Sequence, residues 1–358
     1  MKLLTQILST LSLTVPWGTR REGTWSRLPN ITRNGVSYAR QEHGAALVGN
    51  DIYVLGGILP WNGTTFPTTN IVQKYNLGTG IWTETAPMPA ALNHVNVAVV
   101  DDKIYYLGGM EAIETTTDIA YWNATGKSAV YDPLVNKWTV LPSMPEGRAI
   151  GSAATIVVGD TIYLPGGLLN TNTTYDQEGS VSMFTSYNVK TKKWTILPDL
   201  PAPRDHAGKG TYLDMLYILG GRAFGNQNVV DTVFGFNLTS HTWSTGYERM
   251  PTARGGVASA TIGTMTFTAG GEGDPNTCTA VFPEMQGYDA AKNTWIKYAD
   301  MPLPIHGSDA VEYKGQIIIP GGGDVTGAGL SPVVQSFEPP RDLWYNKPTT
   351  GKLEVRKN

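Results

Sequence analysis

Pairs of glycines that follow a short apolar run recur six times in this chain, and their regular spacing is the feature that most limits what it can fold into. Each pair follows a short apolar run, and successive pairs lie roughly 50 to 58 residues apart. Repeats of this length are typical of architectures in which each unit buries its faces against its neighbours. The pairs are Gly56-Gly57, Gly108-Gly109, Gly166-Gly167, Gly220-Gly221, Gly270-Gly271 and Gly321-Gly322.

Aromatic residues follow every glycine pair in the same order. A tyrosine or phenylalanine comes first, a tryptophan lies seven residues later, and a proline-containing turn follows the first five tryptophans. Large aromatic side chains supply apolar contact between neighbouring units, while glycine lets crowded backbones approach closely. We therefore expect these residues to build the scaffold. They are Tyr75, Tyr131, Tyr187, Phe236, Tyr288 and Phe337, with Trp82, Trp138, Trp194, Trp243, Trp295 and Trp344.

The combined pattern of Gly-Gly, Tyr, Trp, a Met-Pro turn and then Arg or His resembles the Kelch repeat, over residues from about 25 to 345. The resemblance implies an all-β fold, a six-bladed Kelch β-propeller with four-stranded antiparallel blades. We predict a single propeller over residues 21–346, a C-terminal tail over 347–358, and a signal peptide or disordered N-terminus over 1–20. Either the segment around Trp25 or the one around Trp344 supplies the strand that closes the ring.

Composition excludes several classes of function. The net charge of -3 gives no general attraction to nucleic acid, and no apolar run reaches the roughly 18 residues that a membrane helix needs. A single cysteine, Cys278, rules out an internal disulfide and cysteine-rich zinc sites.

The N-terminus and the glycosylation sequons bear on the compartment. Lys2 followed by a mostly apolar stretch to Val15 has the length of a signal-peptide core, although no A-x-A cleavage site follows. We predict the secretory pathway or secretion, with the cytoplasm as the alternative. The candidate glycosylation sites are Asn30, Asn62, Asn123, Asn172 and Asn237.

The positions of the loops indicate which face of the propeller binds a ligand. With strands a to d numbered from axis to rim, the b–c and d–a connections emerge on one face, because neighbouring strands run antiparallel. The turns on the other face are short and regular, whereas the b–c loops are long and share no pattern. Variable loops on a rigid scaffold commonly carry binding sites. The b–c loops span roughly 58–70, 110–128, 168–181, 222–229, 272–285 and 323–332.

Arginine and histidine residues of the d–a segments are predicted to form a ring on this face, around a polar cup at the axis. The candidate catalytic residues are Arg40, His94, Arg204, His206, Arg254 and His306. The candidate substrate-binding residues are His43, Asn93, Trp61, Glu111, Tyr121, Trp122, Arg148, Arg222 and Glu272. Further candidates on the rim are Glu114, Asp118, Tyr175, Asp176, Glu178, Asp274 and Asp324.

A purely structural role for the ring stands beside this hypothesis. In Kelch repeats such arginines and histidines often brace neighbouring blades through hydrogen bonds. Clustered cations also repel one another, so the ring requires compensating acids or an anionic or carbonyl-rich ligand.

Known metal chemistries of Kelch proteins find little support in the sequence. Galactose oxidase resembles this chain in its blades, but it adds a carbohydrate-binding domain and needs a set of copper ligands that is not evident here. The iron motif E-x-x-x-D-x-x-x-H of nitrile-specifier proteins is matched by Glu114 and Asp118, with Trp122 in place of histidine. We therefore expect no metal and no cofactor.

Three functions remain open at this stage. The first is a cofactor-independent isomerase or cyclase that acts on a secondary metabolite or sugar-like substrate bound in the central cup, because the stand-alone chain resembles fungal Kelch proteins associated with metabolite pathways. The second is a non-catalytic module that binds a protein or a glycan. The third is a copper-dependent oxidase of the galactose-oxidase type.

Overall fold

The computed structural model describes residues 22–113, 121–172, 177–327 and 329–340, and this part of the chain contains strands but no helix. Apart from one two-stranded hairpin, the strands form six antiparallel sheets around a central axis, which confirms the predicted six-bladed propeller. No helix among the described residues is long and apolar enough to cross a membrane.

The strands follow the repeat along the chain. The first three are β1 (Thr24–Leu28) and the small hairpin of β2 (Thr32–Arg33) and β3 (Val36–Ser37). Blade 1 contains β4 (Gly44–Val48), β5 (Asp51–Leu55), β6 (Val72–Asn76) and β7 (Ile81–Glu84). Blade 2 contains β8 (Val97–Val100), β9 (Lys103–Ala112), β10 (Tyr121–Asp132) and β11 (Lys137–Val140). Blade 3 contains β12 (Ile156–Val158), β13 (Thr161–Pro165), β16 (Phe184–Asn188) and β17 (Lys193–Ile196), with β14 (Leu168–Asn172) and β15 (Gln177–Ser180) inserted between its b and c strands.

The remaining three blades repeat the same order. Blade 4 contains β18 (Gly208–Tyr212), β19 (Met215–Leu219), β20 (Val233–Asn237) and β21 (Thr242–Ser244). Blade 5 contains β22 (Ala258–Ile262), β23 (Met265–Ala269), β24 (Met285–Asp289) and β25 (Thr294–Lys297). Blade 6 contains β26 (Val311–Tyr313), β27 (Gln316–Gly322) and β28 (Ser331–Glu338), and β1 is its outermost strand.

The N-terminal segment closes the ring. Strand β1 pairs with β28, and Trp25 lies opposite Phe337 with 5.0 Å between ring centroids. The Trp25 indole donates a hydrogen bond to the Ala299 carbonyl at 2.8 Å. In the same way, Trp138 donates to the Ala86 carbonyl in the turn that precedes its own blade. Trp25 therefore takes the blade 6 position that Trp344, which lies outside the described residues, would otherwise fill.

Aromatic packing joins neighbouring blades, as the repeat predicts. Tyr53 of blade 1 meets Tyr131 of blade 2 at a centroid distance of 5.9 Å, and Tyr217 of blade 4 meets Tyr288 of blade 5 at 5.5 Å. All four side chains are at most 4% exposed. The interfaces between blades thus form the hydrophobic core.

Two of the b–c connections are more regular than the sequence indicated. Strands β9 and β10 continue past the blade 2 glycine pair as a long hairpin, and β14 pairs with β10 through Tyr121, Trp122 and Asn123. The insert of blade 3 therefore extends the sheet of blade 2. The sequence did not predict this because the two inserts pair with each other across blades and share no repeat pattern.

Candidate functional site

One residue from each blade forms a ring around the axis. It lies fourteen residues before the glycine pair of its repeat, and in every blade its φ is positive, between 48° and 67°. Most of these residues are linked by backbone hydrogen bonds from blade to blade, for example from the His94 N–H to the Glu42 carbonyl at 2.8 Å. The ring residues are Glu42, His94, Ser152, His206, Gly256 and Gly307.

The Glu42 carboxylate is surrounded by three imidazoles. Its Oε2 atom lies 3.4 Å from Nε2 of His94 and 3.4 Å from Nε2 of His206. Its Oε1 atom lies 3.9 Å from Nδ1 of His306, the residue immediately before the blade 6 ring position. All three histidines are at most 9% exposed, so this cluster fills the axis of the propeller.

Neighbouring polar groups orient the two ring histidines. Nδ1 of His94 donates to the Asn93 amide oxygen at 2.5 Å, while the Asn93 amide nitrogen donates to Thr68. Nδ1 of His206 donates to the Asp205 carboxylate at 2.6 Å. Because each Nδ1 atom is engaged by an oxygen, each Nε2 atom is directed to Glu42.

Arg222 lies at the centre of a second cluster, immediately after the blade 4 glycine pair. Its guanidinium donates to Glu178 at 2.6 Å, to Asp205 at 3.3 Å and to Glu272, which follows the blade 5 glycine pair. The side chains of all four residues are at most 6% exposed. One buried cation is thus shared among three carboxylates, and the same guanidinium lies 2.9 Å from Nδ1 of His206.

The environment separates the pKa values of the carboxyl groups. Burial raises the pKa of Glu178 to about 7, and the nearby Asp205 and Glu272 carboxylates add to this shift against the opposing effect of Arg222. Burial acts in the same direction on Glu272, but His306 and Arg222 outweigh it and lower that pKa. For Glu42, burial is outweighed by His94, His206 and His306, which hold its pKa well below the usual value.

The two ring histidines differ in the same way. Burial lowers the pKa of His94 to about 4, which keeps its imidazole neutral. Burial and Arg222 also act to lower the pKa of His206, but Glu42 and Asp205 outweigh them and raise it to about 10. The site therefore places a neutral imidazole and a basic one on the same carboxylate.

The axial cluster separates two cavities. The one on the b–c face, which we call the cup, has a volume of about 50 Å³. The other lies between the innermost strands, in what we call the channel, and has a volume of about 70 Å³. Glu42 and His94 line both cavities, and His206 lines the one in the channel. The cup is lined by Gln41, Glu42, Ile58, His94, Trp122, Thr171, Glu178, Arg222, Asn226, Glu272, His306 and Gly327.

Several predicted site residues come together at the axis. His94, His206 and His306 surround Glu42, and Arg222 and Glu272 contact each other beside them. Trp122 lines the cup and donates its indole N–H to Thr68 at 2.9 Å. Asn93 contributes indirectly, through its hydrogen bond to His94.

The structure places three predicted catalytic arginines inside the blades and not around the cup. The Arg40 guanidinium donates to the carbonyls of Gly56 and Ile71 at 2.9 and 3.0 Å, and Arg254 makes the equivalent bond to Gly270. Arg204 stacks over Phe234 and donates to Thr232 at 2.8 Å. Through these hydrogen bonds the three side chains brace the strands next to the glycine pairs.

The other predicted ligand-binding residues lie away from the cup. His43 lines the channel cavity and contacts the Pro320 carbonyl at 2.7 Å, and Arg148 pairs with Asp199 at the surface. Glu111 pairs with Lys127 on the long hairpin of blade 2, Tyr121 begins β10, and Trp61 is 45% exposed and packs on Phe66. Glu114, Asp118, Tyr175 and Asp176 lie outside the described residues.

The sequons occupy different environments, and glycosylation stays a prediction. Asn30 and Asn62 are exposed, whereas Asn123 and Asn172 lie in paired strands and Asn237 caps a turn through Thr239 and Ser240. Cys278 is exposed and does not line the cup.

Sequence reasoning missed Glu42 and Asp205. Aligning the six repeats on their glycine pairs would have found both, since Glu42 shares a repeat position with His94 and His206, and Asp205 shares one with Asn93. The same alignment assigns His43, His94 and His306 to three successive positions of the repeat.

Comparisons with known proteins agree with the repeat. The family model described as the KLHDC2/KLHL20/DRC7 Kelch-repeats domain matches residues 151–357, and the one described as the Kelch motif matches residues 39–89. The Kelch-like protein terF of Aspergillus terreus is 76% identical over 318 residues, which are 89% of this chain and 68% of that protein.

More distant relatives share parts of their length with this chain. Beta-scruin of Limulus polyphemus is 27% identical over 76% of the chain and 29% of its own length. Kelch-like protein 36 of Bos taurus is 26% identical over 74% of this chain and 41% of its own length. The chain thus spans less than half of these two proteins. The solved structure of YjhT superposes with a TM-score of 0.67 at 14% identity, over 86% of this chain and 95% of the other, which shows the fold alone.

Proposed function

This chain belongs to the Kelch-repeat family of β-propellers, and from that premise we propose that its cup binds a small polar metabolite and isomerises or cyclises it by proton transfer. The proposal concerns the b–c face, where inserts of several blades surround the axial cluster. It retains the secondary-metabolite or sugar-like substrate class that the sequence indicated.

The size and lining of the cup favour a small ligand. Its volume of about 50 Å³ is enough for a few water molecules, each of which needs roughly 10–15 Å³. The cup thus admits the reacting group of a ligand, and the remainder of the molecule contacts the surrounding loops. Ile58 and Trp122 provide an apolar wall opposite the charged groups, an arrangement common in small-molecule sites.

A single observation carries the proposal, namely the unpaired oxygen of Glu178. This residue lines the cup, its Oε1 atom accepts from Arg222, and its buried Oε2 atom has no hydrogen-bond partner among the described residues. A buried carboxyl oxygen without a partner is costly, and a ligand donor or a shared proton would satisfy it. With a pKa of about 7, Glu178 can exchange a proton near neutral pH.

The other groups fit defined roles in such a reaction. Arg222, which also pairs with Glu272, holds Glu178 in a fixed position, and neutral His94 lines the same cup. Two carboxyl groups with pKa values shifted in opposite directions, Glu178 upward and Glu272 downward, are the arrangement that assigns acid and base roles in proton transfer. Arg222 would stabilise negative charge that develops on a ligand oxygen.

Metabolite profiling of a strain that lacks the gene tests this function. We expect an isomer or an uncyclised precursor of equal mass to accumulate in place of the normal product. Complementation with the wild-type protein should restore the product, whereas Glu178→Gln, which keeps the shape but removes the ionisable group, should not. Glu248→Gln provides the matched control, because Glu248 is exposed and does not line the cup.

An unchanged profile in the deletion strain would contradict the enzymatic function and favour the non-catalytic protein- or glycan-binding module. Restoration by Glu178→Gln at normal protein level would contradict the role given to this residue while leaving an enzymatic function in place. Restoration by Glu248→Gln establishes that the substitution type itself is tolerated.

A further inference from the structure

We propose that Glu42, His94 and His206 form a binding site for a divalent transition-metal ion, with Zn²⁺ as the preferred ion. This inference departs from the sequence-based prediction of no metal, and Glu42 was not among the predicted site residues. The inference stands on the geometry of the axial cluster and does not depend on the reaction proposed for the cup.

The distances from Glu42 to the two histidines match those of a metal site. Oε2 of Glu42 lies 3.4 Å from Nε2 of both His94 and His206, and one ligand atom from each residue lies within 4.8 Å of the others. Tetrahedral Zn²⁺ with bonds of about 2.0–2.1 Å holds neighbouring ligand atoms about 3.3–3.4 Å apart. Two histidines and one carboxylate, with a fourth position left open, are a common ligand set of catalytic zinc.

The groups behind the two histidines support the same conclusion. Metal-binding histidines usually donate their second ring nitrogen to a carboxylate or another oxygen, which fixes the ring and its tautomer. Here the Nδ1 atoms of His94 and His206 donate to Asn93 and Asp205 at 2.5 and 2.6 Å. Both Nε2 atoms are thereby directed to Glu42 and away from the blades.

His306 provides a second, independent indication. Its Nε2 atom donates to the Val325 carbonyl at 3.0 Å, and its Nδ1 atom faces Glu42 and Glu272. That atom is buried without a hydrogen-bond partner among the described residues, 3.9 Å from a Glu42 oxygen and 3.4 Å from a Glu272 oxygen. A buried ring nitrogen without a hydrogen bond is unfavourable, and a water molecule bound to the metal ion would satisfy it.

A cation at Glu42 would take the place of the proton that otherwise joins Nε2 of His206 to this carboxylate. Arg222 is shared by Glu178, Glu272 and Asp205, whereas the ion-pair contacts of Glu42 among the described residues are with imidazoles. Arg222 lies 3.3 Å from Nε2 of His206 and opposes a nearby cation, but its three carboxylate partners offset its charge. Both cavities reach Glu42 and His94, which gives an ion a path of entry.

Metal binding to the purified protein provides the test. After chelator treatment, the wild-type protein should bind about one Zn²⁺ per chain, and Co²⁺ should give the intense visible absorption of a tetrahedral site. His94→Gln and His206→Gln should weaken the affinity at least about a hundredfold, and Asp205→Asn about ten- to a hundredfold. His241→Gln, a change of an exposed histidine in an outer turn, should bind as the wild type does.

The wild-type titration decides the question even if a variant fails to fold. Binding of Zn²⁺ and Co²⁺ well below one ion per chain would overturn the inference and leave a proton on Nε2 of His206 as the group that joins it to Glu42. Equal affinity in folded His94→Gln and His206→Gln would also overturn it. Because metal binding is measured without any metabolite, either result is independent of the function proposed for the cup.

Discussion

His94 and His206 come from blades 2 and 4, yet their imidazole rings meet edge to face at the axis with centroids 4.9 Å apart. Both residues occupy the same position of the repeat, both have a positive φ, and both direct Nε2 to one oxygen of Glu42. The repeat thus converts a sequence separation of more than a hundred residues into direct contact. The chemical character of the axis depends on which residue each blade places in this ring.

Arg222→Met should destabilise the protein by about 3–5 kcal/mol, because the substitution leaves the buried carboxylates of Glu178, Glu272 and Asp205 without their cation. Chemical denaturation at pH 7 measures the effect. Arg148→Met removes a partly exposed ion pair with Asp199 and should cost about 1 kcal/mol or less. Equal effects of the two substitutions would contradict the buried cluster.

Glu178→Gln should flatten the pH dependence of stability. The pKa of Glu178 in the folded protein, about 7, lies above its usual value, so the protonated group favours folding below about pH 4.5 and this contribution is lost as pH rises through 7. Arg222, Asp205, His206 and Glu272 surround the group. Between pH 4.5 and 8, the free energy of unfolding of the variant should rise relative to that of the wild type by at most about 3 kcal/mol. Melting temperatures that stay parallel across this range would argue against the shift.

Arg254→Met should reduce stability and leave the axial metal affinity unchanged. The substitution removes the donors to the carbonyls of Gly270 and Glu284, which lie inside blade 5, and we expect a loss of about 2–4 kcal/mol. Arg249→Met, which alters an exposed ion pair with Asp231, should cost about 1 kcal/mol or less. A weakened metal site in folded Arg254→Met would assign this arginine to the axis.

Gly270→Ala should destabilise the protein far more than Gly263→Ala. Both glycines have a φ near +63°, so both substitutions carry the same backbone strain of about 1 kcal/mol. At Gly270 the added Cβ would lie 2.1 Å from the Ile305 carbonyl oxygen, whereas at Gly263 no atom lies within 4 Å. Thermal unfolding compares Gly263→Ala, which adds backbone strain alone, with Gly270→Ala, which adds the same strain and a clash. Equal melting temperatures of the two variants would contradict the close approach of blades 5 and 6.

The scaffold could be predicted from the sequence because its residues repeat. Gly270 and its equivalents, the tyrosines and the tryptophans each recur in the same order, so local spacing fixed the number of blades. The choice of closing strand needed the structure. Trp25 and Trp344 both fit the pattern, and the hydrogen bond from Trp25 to Ala299 distinguishes them.

The site was harder to predict because its residues differ from blade to blade. His94, His206, His306, Arg222 and Glu272 were identified, since histidines and charged loop residues stand out in the sequence. The role of Arg40 as a brace could not be separated from a site role, because both require an arginine after the same turn. Glu42 carries no distinctive motif and becomes visible only when the six repeats are aligned on their glycine pairs.

The rate of conversion by Glu178→Gln tests the central claim most directly. The precursor that accumulates in the deletion strain is purified and incubated with an excess of wild-type, Glu178→Gln or Glu248→Gln protein, and the product is followed in a single turnover. Removal of a general acid or base lowers such a rate by about 10²–10⁴-fold, so Glu178→Gln should be at least about a hundredfold slower while Glu248→Gln matches the wild type. Equal rates for all three proteins would contradict the account.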